Sequence, residues 1–379
     1  MMSERARPEQ QWSVGDLCNA MESIAPTRSA QEWDNVGLLA GDPSAPVSRA
    51  LACIDLTPAV FEEAVRGSAE VILAYHPPIF KPISSIRGDT SGPEAAVFRC
   101  IASGIAVYAT HTALDAADGG TNDTIASLCG IKETEPIDYI DDPSVSECKL
   151  VVFVPPADVE RVADAMFTAG AGHIGDYSRC SYRTAGQGTF LGGETTSPTI
   201  GQRGRMECVD EIRLEAVVRR KVLPAVVSAL IKTHPYEEPA FDIYPLRPKS
   251  VGGLGRIGAL PHLTTLLKLA HRLKRATKSV HLQVIGPPER TIERAVIVVG
   301  SAGSIPFRVP LVPNDVIVTG EIRHHDALTI HRTGCTAIAL GHWCSERPVL
   351  KPLAERLRQA LPGIAVCVSI ADQDPLQAV

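Results

Sequence analysis

Three histidines, each closing a short apolar run, are the residues of this chain best suited to chemistry. His76 follows Val71-Ile-Leu-Ala-Tyr75, His111 follows Ile105-Ala-Val-Tyr-Ala-Thr110, and His342 follows Thr336-Ala-Ile-Ala-Leu-Gly341. In two of the three a carboxylate comes four residues later, Asp115 after His111 and Glu346 after His342. Imidazole plus carboxylate is the ligand set of zinc, manganese or ferrous iron. Short runs rich in Val, Ile and Ala read as buried strands of an α/β sheet. Ligands of such sheets bind at the carboxyl ends of the strands, so His76, His111, Asp115, His342 and Glu346 are expected to converge there.

The elements that must position these residues alternate. A helix capped by Ser13 is predicted to about Ile24, with Val14, Leu17, Met21 and Ile24 on one face. Strands are predicted at Ala50 to Asp55, Val71 to Ala74 and Ile105 to Ala109, separated by helices that start at Thr57-Pro58 and near Glu94. Pro77-Pro78 stops the second strand and stiffens the loop after His76. Asp34-Asn35, between Trp33 and two glycines, reads by composition as a turn. This alternation predicts a mostly parallel sheet.

The rhythm changes near Glu147. Residues 147–246 read as strand, helix, two strands, helix and strand, the ferredoxin-like order. Arg247 to Gly258 is glycine-rich and reads as a linker. Beyond it the α/β pattern resumes, with a helix from Leu263 to Ala276, strands at Val280 to Ile285, Ala295 to Val299 and Val316 to Gly320, and a tight glycine turn at Gly300-Ser-Ala-Gly303, read as a plain turn rather than an anion cradle. That turn lacks the lysine of a phosphate loop. The domain reading is therefore 12–145 and 257–375 as the two halves of one metal-site core, with 147–246 inserted between them.

Composition narrows the class. The 379 residues carry a net charge of −6, 45% apolar and 21% charged residues, ordinary for a globular chain. No lysine–arginine run indicates nucleic acid, and no apolar stretch spans a bilayer. Residues 1–11 lack the apolar centre of a secretion signal and read as a disordered lead-in. Ten scattered cysteines without a Cys-x-x-Cys pair point to a reducing cytoplasm and small buried thiols.

Five ordered stretches, Trp33-Asp-Asn-Val-Gly-Leu-Leu, Tyr75-His-Pro-Pro-Ile-Phe, His111-Thr-Ala-Leu-Asp, Ile317-Val-Thr-Gly-Glu and Gly341-His-Trp-Cys-Ser-Glu, resemble the motifs of the NGG-interacting-factor-three-like family, also called the GTP cyclohydrolase one type-two homologues. The resemblance spans nearly the whole chain. It implies a two-halved, three-layer α/β/α core assembled as a toroidal homohexamer, with a two-metal site in each subunit facing the interior. His234-Pro-Tyr-Glu-Glu-Pro-Ala-Phe-Asp-Ile-Tyr resembles the end of a PII-like inserted domain in the longer members. Carried over, the ligands of two divalent ions (zinc, iron, manganese or another) are His76, Asp115, His342 and Glu346, with Asp115 and Glu346 bridging. Many members have a second histidine where this chain has Tyr75; a neutral phenol is a poor ligand, so one of the two sites is expected to be weakened.

Other residues have two readings. Glu321 and His325 are candidates for catalytic proton transfer, although Glu321 would also serve as a cap for the helix carrying His324 and His325. His111 reads as a group orienting Asp115 rather than a ligand. Cys344, two residues past His342, reads as a packing residue. Tyr75 either lines the site or packs. His234, Tyr236, Glu237 and Glu238 suit a binding rim or a structural turn. Two function classes follow: a metal-dependent hydrolase acting on an unidentified small molecule, resembling GTP cyclohydrolase, or a non-catalytic metal-binding scaffold or regulatory protein.

Overall fold

The computed structural model describes residues 11–90, 92–139, 147–246 and 252–377. The predicted lead-in, the 145 boundary and the start of the 247–258 linker fall at least partly outside them. The chain is mixed α/β and divides into two compact units: the described residues up to 139 together with those from 252 form one, and those in 147–246 the other.

The first unit contains two five-stranded sheets. In one, Ala365–Val368, Arg49–Cys53, Val71–Ala74 and Ala106–Ala109 run parallel in that order, and Gly37–Ala40 closes the edge antiparallel. The C-terminal end of the chain thus returns to pair with the N-terminal sheet. In the other sheet, Thr291–Ser301, Asp315–Glu321 and Thr336–Ala339 run parallel, flanked antiparallel by Arg256–Thr265 and Gln283–Ile285.

Strand periodicity sorts the core. On one face of the first sheet, Ala50, Ala52, Val71, Leu73, Tyr75 and Tyr108 pack with Val14, Leu17 and Met21 and with Leu350, Leu353 and Leu357. On the other face, Leu51, Cys53, Ile72, Ala74 and Val107 meet Val60, Phe61 and Cys100. Strands buried on both faces show continuous rather than alternating apolar sequence, and this is why the runs before His76 and His111 are unbroken. The helix Val14–Ile24 begins with Ser13 and Asp16 capping each other reciprocally, which satisfies its first free amides.

The helix expected from Leu263 starts later, at Leu266. Leu263 and Thr264 extend the strand Arg256–Thr265, and Thr265 is the cap, its hydroxyl accepting from the Lys268 amide at 3.4 Å. The buried stripe Leu266, Leu269, Ala270 and Leu273 begins only there, so packing, not propensity, sets the start.

The second unit is a four-stranded antiparallel sheet in the order Phe241–Pro245, Glu147–Val154, Met206–Arg219, Tyr182–Leu191. The helices Val159–Thr168 and Leu223–Thr233 cover one face, where Leu150, Val152, Leu214 and Ala216 meet Val162, Met166, Val226 and Leu230. Among the described residues, no helix is long and apolar enough to cross a membrane. All ten cysteines are free.

One buried charge ties the two sequence segments of the first unit together. Arg256 is 1% exposed. Its guanidinium donates to both carboxylate oxygens of Asp123, at 2.7 and 2.9 Å, and to the carbonyls of Ala117, Gly253 and Gly255. Removing one partner of a buried pair strands the other charge. Asp123→Ala is expected to destabilise the protein by about 3–5 kcal/mol, read as a lower thermal midpoint; an unchanged midpoint would show that Arg256 finds compensation elsewhere.

Candidate metal centre

The parallel strands deliver the site from their carboxyl ends. Val71–Ala74 leads into Tyr75 and His76, Ala106–Ala109 into His111, and Thr336–Ala339 into His342. His342 and Glu346 lie on one short helix, His342–Glu346, four apart and therefore on one face. Gly341 enters that helix at φ +92°, a left-handed conformation that favours glycine.

His76, His342 and Glu346 form a compact group whose ligand atoms lie within 4.8 Å of one another. Glu346 is 3% exposed. Its Oε1 is 3.2 Å from His342 Nε2, and its Oε2 is 3.3 Å from His76 Nε2. The second contact lacks hydrogen-bond geometry, so Oε2 is a buried oxygen without a hydrogen-bond partner. Each imidazole is held from behind by another carboxylate: Asp55 Oδ1 lies 2.9 Å from His76 Nδ1, and Glu321 Oε1 3.2 Å from His342 Nδ1. Carboxylate–histidine pairs of this kind fix ring orientation and leave Nε2 for a metal. A buried, underbonded carboxylate oxygen flanked by two imidazole Nε2 atoms fits a divalent cation.

Protons hold the group together without one. Burial favours neutral His76, but its hydrogen bond with Asp55 and the Glu346 charge beside Nε2 outweigh this and raise it to about 10. The hydrogen bond to Glu346 likewise raises His342. Burial pushes the Glu346 carboxyl up, and the two imidazoles more than reverse this and hold it below the usual glutamate range.

Asp115 stands beside the group. Its Oδ1 accepts from the Tyr75 hydroxyl at 2.5 Å, and its backbone carbonyl accepts from Asn122 Nδ2 at 3.0 Å. Burial, with the Glu346 charge nearby, raises its carboxyl to about 6 even though the Tyr75 hydrogen bond lowers it. Tyr75 is 1% exposed, and burial with the Asp115 and Glu346 charges pushes its phenol well above the ordinary tyrosine value. It therefore both packs and reaches the site, as a neutral donor.

His111 bonds elsewhere than Asp115. Its Nδ1 is 2.8 Å from Asp34 Oδ1, and the other Asp34 oxygen takes the Thr112 amide at 3.1 Å as well as the Thr112 hydroxyl. Asp34, read from composition as a turn residue, thus caps the helix His111–Ala116 from a distant loop. His111 sits at φ +29°, an uncommon conformation for a non-glycine residue. Glu321 is not a cap: the helix His324–Thr333 has Arg323 at its cap position. His325 follows on that helix, its ring 5.6 Å from that of His324. Cys344 is buried, its thiol raised to about 11 by burial first and by Asp374, which suits packing rather than nucleophilic attack.

Sequence reading missed Asp55 and the role of Asp34. The available signal was an aspartate closing a buried strand, Leu51-Ala-Cys-Ile-Asp55. It also took Gly300 for a plain turn. A Cβ built there would lie 2.4 Å from Glu346 Oε1 and 3.4 Å from His342 Nε2.

A family model described as Duf34/NIF3 (NGG1p interacting factor 3) matches residues 12–375. A protein of Halalkalibacterium halodurans called GTP cyclohydrolase 1 type 2 homolog is 39% identical over 324 residues, 85% of this chain and 86% of that protein. A Mycobacterium tuberculosis protein of the same name is 36% identical over 369 residues, 95% of this chain and 96% of that protein. The crystal structure of a Bacillus cereus protein related to NIF3 covers 97% of this chain and 99% of its own, with a TM-score of 0.67 and 31% identity.

Two results are expected at this centre. Gly300→Ala places a methyl against Glu346 and should lower zinc bound per chain with the fold intact by circular dichroism; full zinc content would show that the carboxylate yields. Because His76 is raised above neutrality, a metal must displace a proton at pH 7. Zinc affinity should therefore fall from pH 8 to pH 6, and calorimetric heats of binding should differ between buffers of different ionisation enthalpy. Equal heats would mean that no proton leaves.

Proposed function

The chain belongs to the Duf34/NIF3 (NGG1p interacting factor 3) family, and we propose that it is a dinuclear divalent-metal protein acting as a hydrolase on a C–N or phosphoester bond. The observation that carries the reading is the underbonded Glu346 oxygen between His76 and His342. A divalent ion in such a setting supplies Lewis acidity and a water acidic enough to attack near neutral pH.

The chain's own residues have distinct parts in this reading. His76, His342 and Glu346 would hold the first ion. Asp55 and Glu321 orient the two imidazoles, which makes Glu321 a positioning residue; it is also the exposed carboxylate best placed to exchange a proton with solvent. His325 would have to act from the neighbouring helix. Asp115 would help Glu346 to hold a second ion, through the lone pairs that its Tyr75 hydrogen bond leaves free, while Tyr75 itself, as a neutral phenol, adds no good ligand there. The second position is accordingly the weaker one. The same Tyr75–Asp115 contact favours the alternative, a metal-binding scaffold or regulatory protein without turnover.

The name shared by the relatives makes GTP the first substrate to test. The strand order of residues 147–246 supports a ferredoxin-like, PII-like insert. We propose residues 12–145 and 257–375 as the halves of a three-layer core, a homohexamer as the working assembly, and the cytoplasm as the location, in keeping with ten free cysteines.

The test is metal content per chain by elemental analysis, followed by turnover of GTP and of a phosphoester panel. Wild type is expected to retain about one tightly bound ion under dialysis, and Tyr75→His about two, with hydrolysis that falls by at least about a hundredfold in Glu346→Gln. Two full sites without turnover on any substrate would favour the scaffold. No metal in either protein would overturn the ligand assignment.

A further inference from the structure

Two large aromatic side chains are left in solvent beside the metal ligands. Trp33 is 59% exposed and Phe80 47%. Their ring centroids lie 5.8 Å apart at an interplanar angle of 58°. Both rings also meet His111, at 5.9 and 6.4 Å. The His111 ring is 5.3 Å from that of His76, which is 5.6 Å from that of His342. A continuous line of rings therefore runs from solvent to the candidate ligands.

Single exposed apolar side chains are ordinary on protein surfaces. This pair differs because the backbone beneath it is fixed from several directions. The Gln31 amide donates to Thr112 Oγ1 at 3.0 Å, and Asp34 holds His111 and Thr112. Asn35 Nδ2 donates to the Ile79 carbonyl at 2.5 Å, which ties the Trp33 loop to the Phe80 loop. Pro77 and Pro78 stiffen the approach to Phe80. Two loops bonded to each other thus present apolar rings to solvent beside the candidate ligands.

We propose that Trp33 and Phe80 bind a planar heteroaromatic ring of the substrate and direct its scissile bond toward His76, His342 and Glu346. The proposal rests on the hydrolase reading and adds to it the residues that take the substrate's ring. Two rings inclined to each other offer a face and an edge, and a flat π-system gains offset stacking on one and an edge contact on the other. An aliphatic ligand gains only area. Stacking tolerates any heterocycle, since each has a π-face; the two residues set substrate class and position, and the chemistry is left to the groups beyond His111.

The test uses the full chain, stripped by chelator and reloaded with zinc. Equilibrium dialysis would measure binding of adenosine, cytidine and nicotinamide, with ribose as the ring-free control. At least one ring compound is expected to bind saturably and ribose not to bind. Trp33→Ala and Phe80→Ala should each weaken that binding about ten- to a hundredfold, while Phe80→Tyr retains it and zinc content and oligomeric mass stay at the wild-type values. Failure of all three ring compounds to bind, equal binding of ribose, or unchanged affinity in Trp33→Ala would overturn the proposal. So would a change of oligomeric mass in the alanine variants, which would assign the rings to contact with a second copy. Zinc content reads the metal assignment separately: ring binding that persists in a chain unable to hold zinc leaves this site standing and removes the hydrolase reading.

Discussion

A carboxylate buried between two imidazoles is the constraint on which this structure depends. Glu346 is almost wholly removed from water, where an unpaired charge is strongly unfavourable. It is tolerable only because positive charge stands on both sides of it, as protons on His76 and His342 or as a metal ion in their place. Asp55 and Glu321, at the opposite ring nitrogens, orient the two imidazoles and stabilise that charge. One buried charge therefore dictates four further side chains, each at or just beyond the end of a strand.

The framework meets this demand by bringing strands from both ends of the sequence to one place. His76 and Asp55 come from the N-terminal sheet, and His342, Glu346 and Glu321 from the second sheet. Two features make that junction rigid. Arg256, buried and fully engaged with Asp123 and neighbouring carbonyls, joins the segment after Asp115 to the first strand of the second sheet. The strand Ala365–Val368 returns to pair with Arg49–Cys53, and Asp372 beyond it accepts from the Ile54 amide at 2.7 Å and pairs with Arg347, next to Glu346. Gly300 supplies clearance: its missing side chain is the space that the Glu346 carboxylate occupies. Tyr75 works in the opposite direction, since its neutral phenol engages one oxygen of Asp115.

Much of the site was legible before any coordinates. The runs ending in His76, His111 and His342 announced themselves because strands covered on both faces are continuously apolar, so a polar residue at their end is conspicuous. Glu346 was legible from its four-residue spacing. Asp34 was not, because Asp-Asn beside glycines has the composition of any turn, and its bonds reach Thr112 and His111, nearly eighty positions away. Glu321 was read with two roles open, cap or proton carrier; its contact with His342 Nδ1 depends on the angle between a strand end and a helix that no local pattern encodes. His325 looked equivalent to Glu321 in sequence; it lies on the helix His324–Thr333, its ring against that of His324.

Local pattern was enough to show which residues could be ligands, the mixed α/β class and the family, because hydrophobic periodicity, turn residues and ordered motifs are local properties. Tertiary structure alone decided which of those residues meet. The pairing of Glu346 with His76, the holding of His76 by Asp55, the diversion of Asp115 to Tyr75, and the exposed Trp33–Phe80 pair all arise where separate strands and loops converge. Distances of 3 Å between such groups follow from how sheets twist and helices pack across the whole unit, and that is a property of the assembled chain rather than of any stretch within it.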